Sequence, residues 1–337
     1  MSRPPEDVPV LVVGAGPAGL AAAITLAHHG VGCLLVERRA ELSSLPRATA
    51  ISLRSMELLR GWGLERAVRD GGTEVEWQQW FCHTLAEAAG GRPGATGLPT
   101  RAQSAVLSPT APACVPQDHL EPVLLHHLRT LPAARIELGA DVCDLQHRDD
   151  GVRVTIRTLA DGTSRQVAAR YVIAADGAHS AVRRALHIAM DGPDDLARAV
   201  STVFRAPLSG VVSDHRYGLY AIGHPDADGV FLPAGRDDRW LYAAMWGSDT
   251  PPPPDLDEAG LVRRIRTGAG VPGLRPRIER IGAFRFAAQL AERFRAGNVF
   301  LAGDAAHRAT PRGGTGMNSA LQDGHDIGWK LAWVLNH

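Results

Sequence analysis

The chain is 337 residues long and 45% hydrophobic, enough for a sizeable core and two domains. Its 36 Lys+Arg balance 36 Asp+Glu, which leaves no net field to recruit nucleic acid or an anionic membrane. Cys33, Cys82, Cys114 and Cys143 form no C-x-x-C pair, which argues against zinc or a secreted disulfide framework; no apolar run reaches membrane-spanning length and "MSRPPEDVPV" lacks a signal-peptide core, so a cytoplasmic enzyme without a metal is expected.

"VPVLVVGAG" reads as a buried strand entering a tight turn, and "PAGLAAAITLAHHG" as a helix with Pro17 in its first turn and Gly30 as its stop. "GCLLVER" is a second apolar strand, which makes a right-handed parallel βαβ unit. "SLRSMELLRGWGL" is expected to be helical, stopping at Gly61 or Gly63. The stretch 86–113, rich in Ala, Gly, Pro, Ser and Thr, is expected to be a mobile excursion. "PQDHLEPVLLHHLRTL" returns to helical spacing. Turn signals at 149–151 and 160–162 mark a small antiparallel meander, and "ARYVIAADG" is a further buried strand. From Val203 to Trp246 short apolar and aromatic runs suit a separate β domain, and "PPPP" at 251–254 is a stiff spacer. "NVFLAGDAA" is a last buried strand before a closing helix, "SALQDGHDIGWKLAWVL". The expected fold is therefore α/β: a Rossmann-like domain with a parallel sheet in two parts, 1–185 and 281–337, around a smaller, mostly β substrate domain, 186–280.

Gly14, Gly16 and Gly19 satisfy G-x-G-x-x-G in the strand–turn–helix setting that the motif needs. Gly14 permits the turn, Gly16 lets backbone approach a pyrophosphate, and Gly19 lets helix and strand pack closely. The helix N-terminus offers free N–H groups to phosphate, and Glu37 at the end of the second strand can accept both ribose hydroxyls. FAD and NAD share this fingerprint. The second glycine-rich stretch, "GDAAHRATPRGGTGMN", distinguishes them: Asp304 can accept polyol hydroxyls, Gly313, Gly314 and Gly316 admit something flat, and a helix begins near Asn318. Two such loops suit the two ends of one FAD.

"GAGPAG", "YVIAADGAHSAVRR" and "VFLAGDAAHRATPRGGTGMNSALQDGHDIGWKLAWVL" resemble the three motifs of the FAD-dependent aromatic hydroxylases, and among them the actinobacterial polyketide hydroxylases. The resemblance spans residues 10–335 in the family's order. It implies that Gly14, Gly16, Ala18, Gly19, Glu37 and Arg38 hold the ADP half. Arg47 would reach the phosphates and the flavin neighbourhood and is the one weak catalytic candidate; Gln117 would contact the ribityl region. Asp304 would bind ribityl hydroxyls, with Pro311, Gly313, Gly314, Gly316, Met317 and Asn318 lining the flavin. Asp176, Gly177 and Arg183 match the motif that the family links to FAD and to NAD(P)H, while His307 reads as structural.

The implied reaction is hydroxylation of an aromatic, polyketide-type molecule by NADPH or NADH and O₂ through a C4a-hydroperoxyflavin, the nicotinamide binding only transiently. Tyr217, Tyr220, Phe231, Trp240, Tyr242 and Trp246 are expected to wall the substrate pocket, with a plain sheet core as the competing reading for each. An epoxidase, a Baeyer–Villiger oxygenase and a non-catalytic flavin-binding protein stay open as alternatives. Two departures stand out. The family's usual C-terminal extension over the active site is absent here, which implies a shortened chain or an unusually open enzyme. Gly324 and Gly328 sit within the closing helix, a cost of roughly 1 kcal/mol each relative to alanine.

Overall fold

Near-continuous apolar runs such as Val10–Val13 and Cys33–Val36 call for strands buried on both faces. The computed structural model, which describes residues 6–337, places them at the centre of a parallel sheet. The chain opens with β1 (Glu6–Val13), α1 (Pro17–His28), β2 (Cys33–Glu37) and α2 (Leu53–Gly61). It then leaves for a second sheet through β3 (Glu76–Cys82) and β4 (Arg92–Ala95), returning with α3 (Gln117–Thr130) and β5 (Ala134–Leu138). The meander is β6 (Ala140–Arg148), β7 (Gly151–Thr158) and β8 (Ser164–Ala174), followed by the short α4 (Ala181–Ala185). The second sheet resumes with β9 (Ala197–Arg205), β10 (Tyr217–Ile222), β11 (Gly229–Pro233) and β12 (Arg239–Gly247). After α5 (Glu258–Ala269) and β13 (Arg277–Phe286), the chain rejoins the first sheet at β14 (Val299–Leu301) and closes with α6 (Thr315–Asn336).

In the first sheet the parallel strands run β14-β8-β1-β2-β5. The chain winds one way from β1 to β2 and the other way to β8 and β14. The strand order thus reverses between β1 and β8, and ligands of open α/β sheets bind at the carboxyl ends beside such a reversal. On its edge away from β1, β8 serves two partners: its first half pairs antiparallel with β7 and its last residues pair parallel with β14. Among the described residues no helix is long and apolar enough to cross a membrane.

The two glycines of α6 have a packing reason that their helix cost conceals. A Cβ on Gly324 would lie 2.1 Å from the Ala18 carbonyl oxygen, and one on Gly328 would lie 2.8 Å from Thr25 Cβ. Helix α6 lies directly on α1, which is buried from Ala18 to Leu26, and it runs unbroken through both glycines. Close contact offsets the lost propensity.

The second sheet runs β13-β9-β12-β11-β10-β3-β4, so two of its strands come from 76–95, ahead of the segment read as the β domain, and β13 runs on past 280. The expected mobile excursion is instead structured. It holds a 3₁₀ turn at Leu85–Gly90, β4, and a helix at Arg101–Leu107 whose Thr100 and Gln103 form a reciprocal capping box. It ends in a two-residue strand, Ala113–Cys114, paired with Ala50–Ile51. Its small polar composition conceals long-range partners: β4 pairs with β3, and the Trp80 indole donates to the Ala88 carbonyl at 2.7 Å. Helix α5, just after the proline spacer, was not expected; its N-cap Asp257 accepts from Gly260 N at 2.9 Å and Gly270 closes it at φ +69°.

Candidate functional site

At the carboxyl end of β1, Gly14 sits at φ +105°, with room for a Cβ only 2.3 Å from the Ala175 carbonyl oxygen. Gly19 is still tighter, its would-be Cβ 1.9 Å from the Gly14 oxygen. Gly16 differs from both: nothing lies within 4 Å of its missing Cβ. It faces open space at the N-terminus of α1, whose first amides have no side-chain cap. That is a cradle for phosphate. Glu37 braces it, one oxygen accepting from Ala15 N at 2.8 Å and the other from Arg39 N at 3.0 Å. Arg38, next in the chain, is exposed and has no side-chain partner among the described residues.

The second loop arrives at the same place. Gly303, at φ +59°, would put a Cβ 3.1 Å from Ala18 Cβ, so the turn after β14 touches the first turn of α1. Asp304 follows, with no hydrogen-bond partner among the described residues. It keeps solvent contact, yet enough chain crowds it that desolvation raises its carboxyl above the usual range, against the pull of His307, Arg308 and Arg47. His307 is engaged as expected of a structural residue: its Nε2 meets Asp323 Oδ2 at 2.6 Å, and the same oxygen accepts Gly303 N at 2.8 Å. After Pro311 the chain bends through Gly313 and Gly314, at φ +79° and +63°, into α6, whose N-terminus has no side-chain cap. Gly316 has open space where a Cβ would stand, and Met317 is buried behind it.

Asn318 is placed differently from the flavin-lining reading. It is 4% exposed and its amide is spent on backbone: Nδ2 donates to Ala50 O and Gly314 O at 2.9 and 2.7 Å, while Oδ1 accepts from Ser52 N at 2.8 Å. The side chain staples the glycine turn to the segment before α2. The middle motif is likewise inward-facing. Asp176 accepts from Ser180 Oγ and Val182 N to start α4, with Gly177 at φ +81° between. Arg183, 7% exposed, donates to Ala305 O at 3.1 Å and Ala178 O at 3.3 Å, joining this motif to the Asp304 turn.

Arg47 is exposed and has no side-chain partner among the described residues, and its charge is felt at both Asp304 and Glu121. Gln117, at the start of α3, is buried and donates from Nε2 to Glu121 Oε1 at 2.7 Å. Glu121 belongs to none of the motifs. It is 4% exposed, and burial raises its carboxyl pKa while Gln117 and Arg47 oppose the shift. The i, i+4 spacing from Gln117 was its one visible signal. Beside it, Asp118 forms a two-pronged pair with Arg239 of β12 at 2.9 and 3.2 Å; Arg239 Nε also bonds Glu279 at 2.8 Å, latching the second sheet onto α3.

The expected aromatic wall is corrected. Tyr220, Phe231 and Tyr242 are fully buried and Trp240 is 3% exposed, packed with Leu261 and Ile265 of α5 as the core of the second sheet. Tyr217 and Trp246 pack against the same cluster, Tyr217 stacked on Trp80 at 4.1 Å. Tyr242 Oη donates to Ala227 O at 3.1 Å. The alternation does put these residues on one face, but that face is core rather than pocket wall, because helix α5 covers it. The open face carries the intervening residues: Leu232 opposite Leu241, Val230 between Ala221 and Ala243, and exposed Met245 and Phe284 flanking Ala199. Its strand ends reach the second loop by two routes. Cys114 bonds Pro233 O and pairs beside Ala50, which Asn318 holds; Gln289, just past β13, pairs with Arg308.

A site built from two uncapped helix N-termini, an open glycine cradle and a free carboxylate at a strand-order reversal is a dinucleotide site. The family model described as "FAD binding domain" matches residues 7–337, and the chain belongs to that family. It is 37% identical over 98% of its length to tetracenomycin A2 monooxygenase-dioxygenase of Streptomyces glaucescens, covering 62% of that protein. It is 38% identical over 99% to aklavinone 12-hydroxylase of Streptomyces peucetius, covering 69% of it. Among solved structures it resembles the flavin-dependent monooxygenase PieE in complex with FAD and substrate, with TM-score 0.90 and 31% identity over 99% of this chain and 59% of that one. It also resembles a ternary complex of aklavinone-11 hydroxylase with FAD and aklavinone, with TM-score 0.88 and 34% identity over 99% of this chain and 64% of that one. The chain therefore spans about three-fifths to two-thirds of the relatives it matches.

Proposed function

We propose that this chain is the FAD-holding part of a monooxygenase that takes electrons from NADPH or NADH and uses O₂ to hydroxylate an aromatic, polyketide-type small molecule. The observation that carries the reading is the packing of Gly303 on Ala18, which joins two glycine loops almost the whole chain apart into one elongated site. The residues fit FAD: Gly16 and the amides of α1 would take the diphosphate, Glu37 and Arg38 the adenosine end, and Asp304 the ribityl hydroxyls. Pro311, Gly313, Gly314 and Gly316 would flank the ring system, with the N-terminus of α6 favouring negative charge there. Bound FAD would supply hydride acceptance from the nicotinamide and the activation of O₂ for transfer of one oxygen atom. Arg47 would add positive charge beside it, and Arg183 would hold the Asp304 turn in place. The open aliphatic face of the second sheet would roof the site, orienting a flat ring system and excluding water.

The test is direct. The purified protein should carry a flavin spectrum, oxidise NADH or NADPH faster when a tri- or tetracyclic phenol is added, and yield a hydroxylated product with matched O₂ uptake. A colourless protein that binds nicotinamide but no flavin sinks the reading. A yellow protein whose nicotinamide oxidation no phenol stimulates leaves only flavin binding.

A further inference from the structure

One carboxylate of α6 does two jobs that neither the reaction nor the motif reading required of it. Asp323 Oδ2 receives the Gly303 amide at 2.8 Å and the His307 ring at 2.6 Å. The two bonds close both ends of the single 3₁₀ turn, Gly303–Ala305, that carries Asp304. Gly303, at φ +59°, lies where a side chain would press on Ala18 and Ala320. We propose that Asp323 is a positioning residue for the cofactor: it clamps the Gly303–Asp304 turn, holds the His307 ring beside Asp304, and thereby governs how Asp304 meets the ribityl hydroxyls of FAD. This rests on the flavin reading above.

The electrostatics agree with the geometry. The hydrogen bond to Asp323, and then the charges of Asp323 and Asp304, raise the His307 pKa above its ordinary value despite burial. A charged His307 in turn opposes the partial desolvation that raises the carboxyl of the exposed Asp304. The groups facing this pair are Asp323 from α6, Arg308 from the strand after the turn, and Arg47 from the segment after β2. Arg308 is itself held by Gln289 at 2.9 Å, and Arg47 is exposed. His307 is thus the cation whose presence Asp323 controls. Without that carboxylate the ring loses its proton more readily, Asp304 protonates at higher pH, and a neutral carboxyl accepts hydroxyl protons less well.

The experiment is FAD affinity against pH, read by flavin fluorescence, for the wild type, Asp323→Asn, Asp323→Glu and His307→Gln, with ADP affinity as a reading of the first loop. The expected result is that the acid limb of FAD affinity moves to higher pH in Asp323→Asn and His307→Gln, by about one unit, or tenfold on that limb. ADP affinity stays unchanged, and Asp323→Glu restores most of the limb. His307→Gln keeps the Gly303 clamp, so it reports the charge effect even where Asp323→Asn folds poorly. FAD affinity reduced equally at every pH in both variants, or an unshifted limb, overturns this proposal alone. A wild type that binds no FAD overturns it together with the reading of the site.

Discussion

The first glycine loop is assembled by its own neighbours. Gly14 and Gly19 lock against each other and against Ala175, and Glu37 ties down Ala15 from the adjoining strand. The second loop has no such local support. Its turn is held by Asp323 from α6, its Ala305 carbonyl by Arg183 from α4, and its glycine bend by Asn318, which also binds Ala50 and Ser52. Both loops offer a helix N-terminus and exposed backbone, yet one depends on sterics between a βαβ unit and the strand end beside it, at Ala175, and the other on hydrogen bonds from three separate parts of the chain. The loop proposed to flank the flavin ring is thus the one whose shape distant parts of the fold set.

The sharpest way to break this contrast is Gly19→Ala. Its Cβ would stand 1.9 Å from backbone with nowhere to go, so FAD and ADP affinity should both fall by about 100-fold, measured by titration. Asn318→Ala strips three backbone partners at a buried position and should cost about 2 kcal/mol in a urea melt. It should weaken FAD roughly tenfold while sparing ADP, because only the second loop loosens. An equal loss of ADP affinity would show that the two loops are not separately supported. Asp118→Asn should remove about 1–2 kcal/mol by leaving Arg239 half-matched at the latch between α3 and the second sheet, with substrate affinity falling before FAD affinity does.

Smaller effects separate the two faces of the second sheet. Tyr242→Phe should lose about 1 kcal/mol of stability with its bond to Ala227 and leave substrate affinity untouched. Leu241→Ser should do the reverse, weakening a polycyclic substrate about 5-fold. The smallest effect is a pH dependence of stability. His307 has a folded pKa above its ordinary 6.5, so its contribution is complete below that value and is lost as pH rises through the folded pKa. Melts of wild type and His307→Gln should converge on the alkaline side.

The local steric facts are legible along the sequence. G-x-G-x-x-G between an apolar run and a helix admits one backbone solution, Glu37 follows from the length of that unit, and the GD and DG turns follow strands that could only be buried. The alternation in Trp240–Trp246 announced two faces of a sheet. Tertiary structure alone decided which face would be core, because that depends on where α5 lies down. It also turned a Gly- and Ala-rich stretch into ordered strands by giving it β3 as a partner. It gave Gly324 and Gly328 their purpose, which exists only where α6 meets α1, and it turned Asn318 and Asp323 inward to hold backbone. Period and sterics are properties of a few neighbouring residues and can be read along the chain. Hydrogen bonds across hundreds of residues have no local signature, since the same asparagine or aspartate suits a ligand or a carbonyl until the fold brings one of them near.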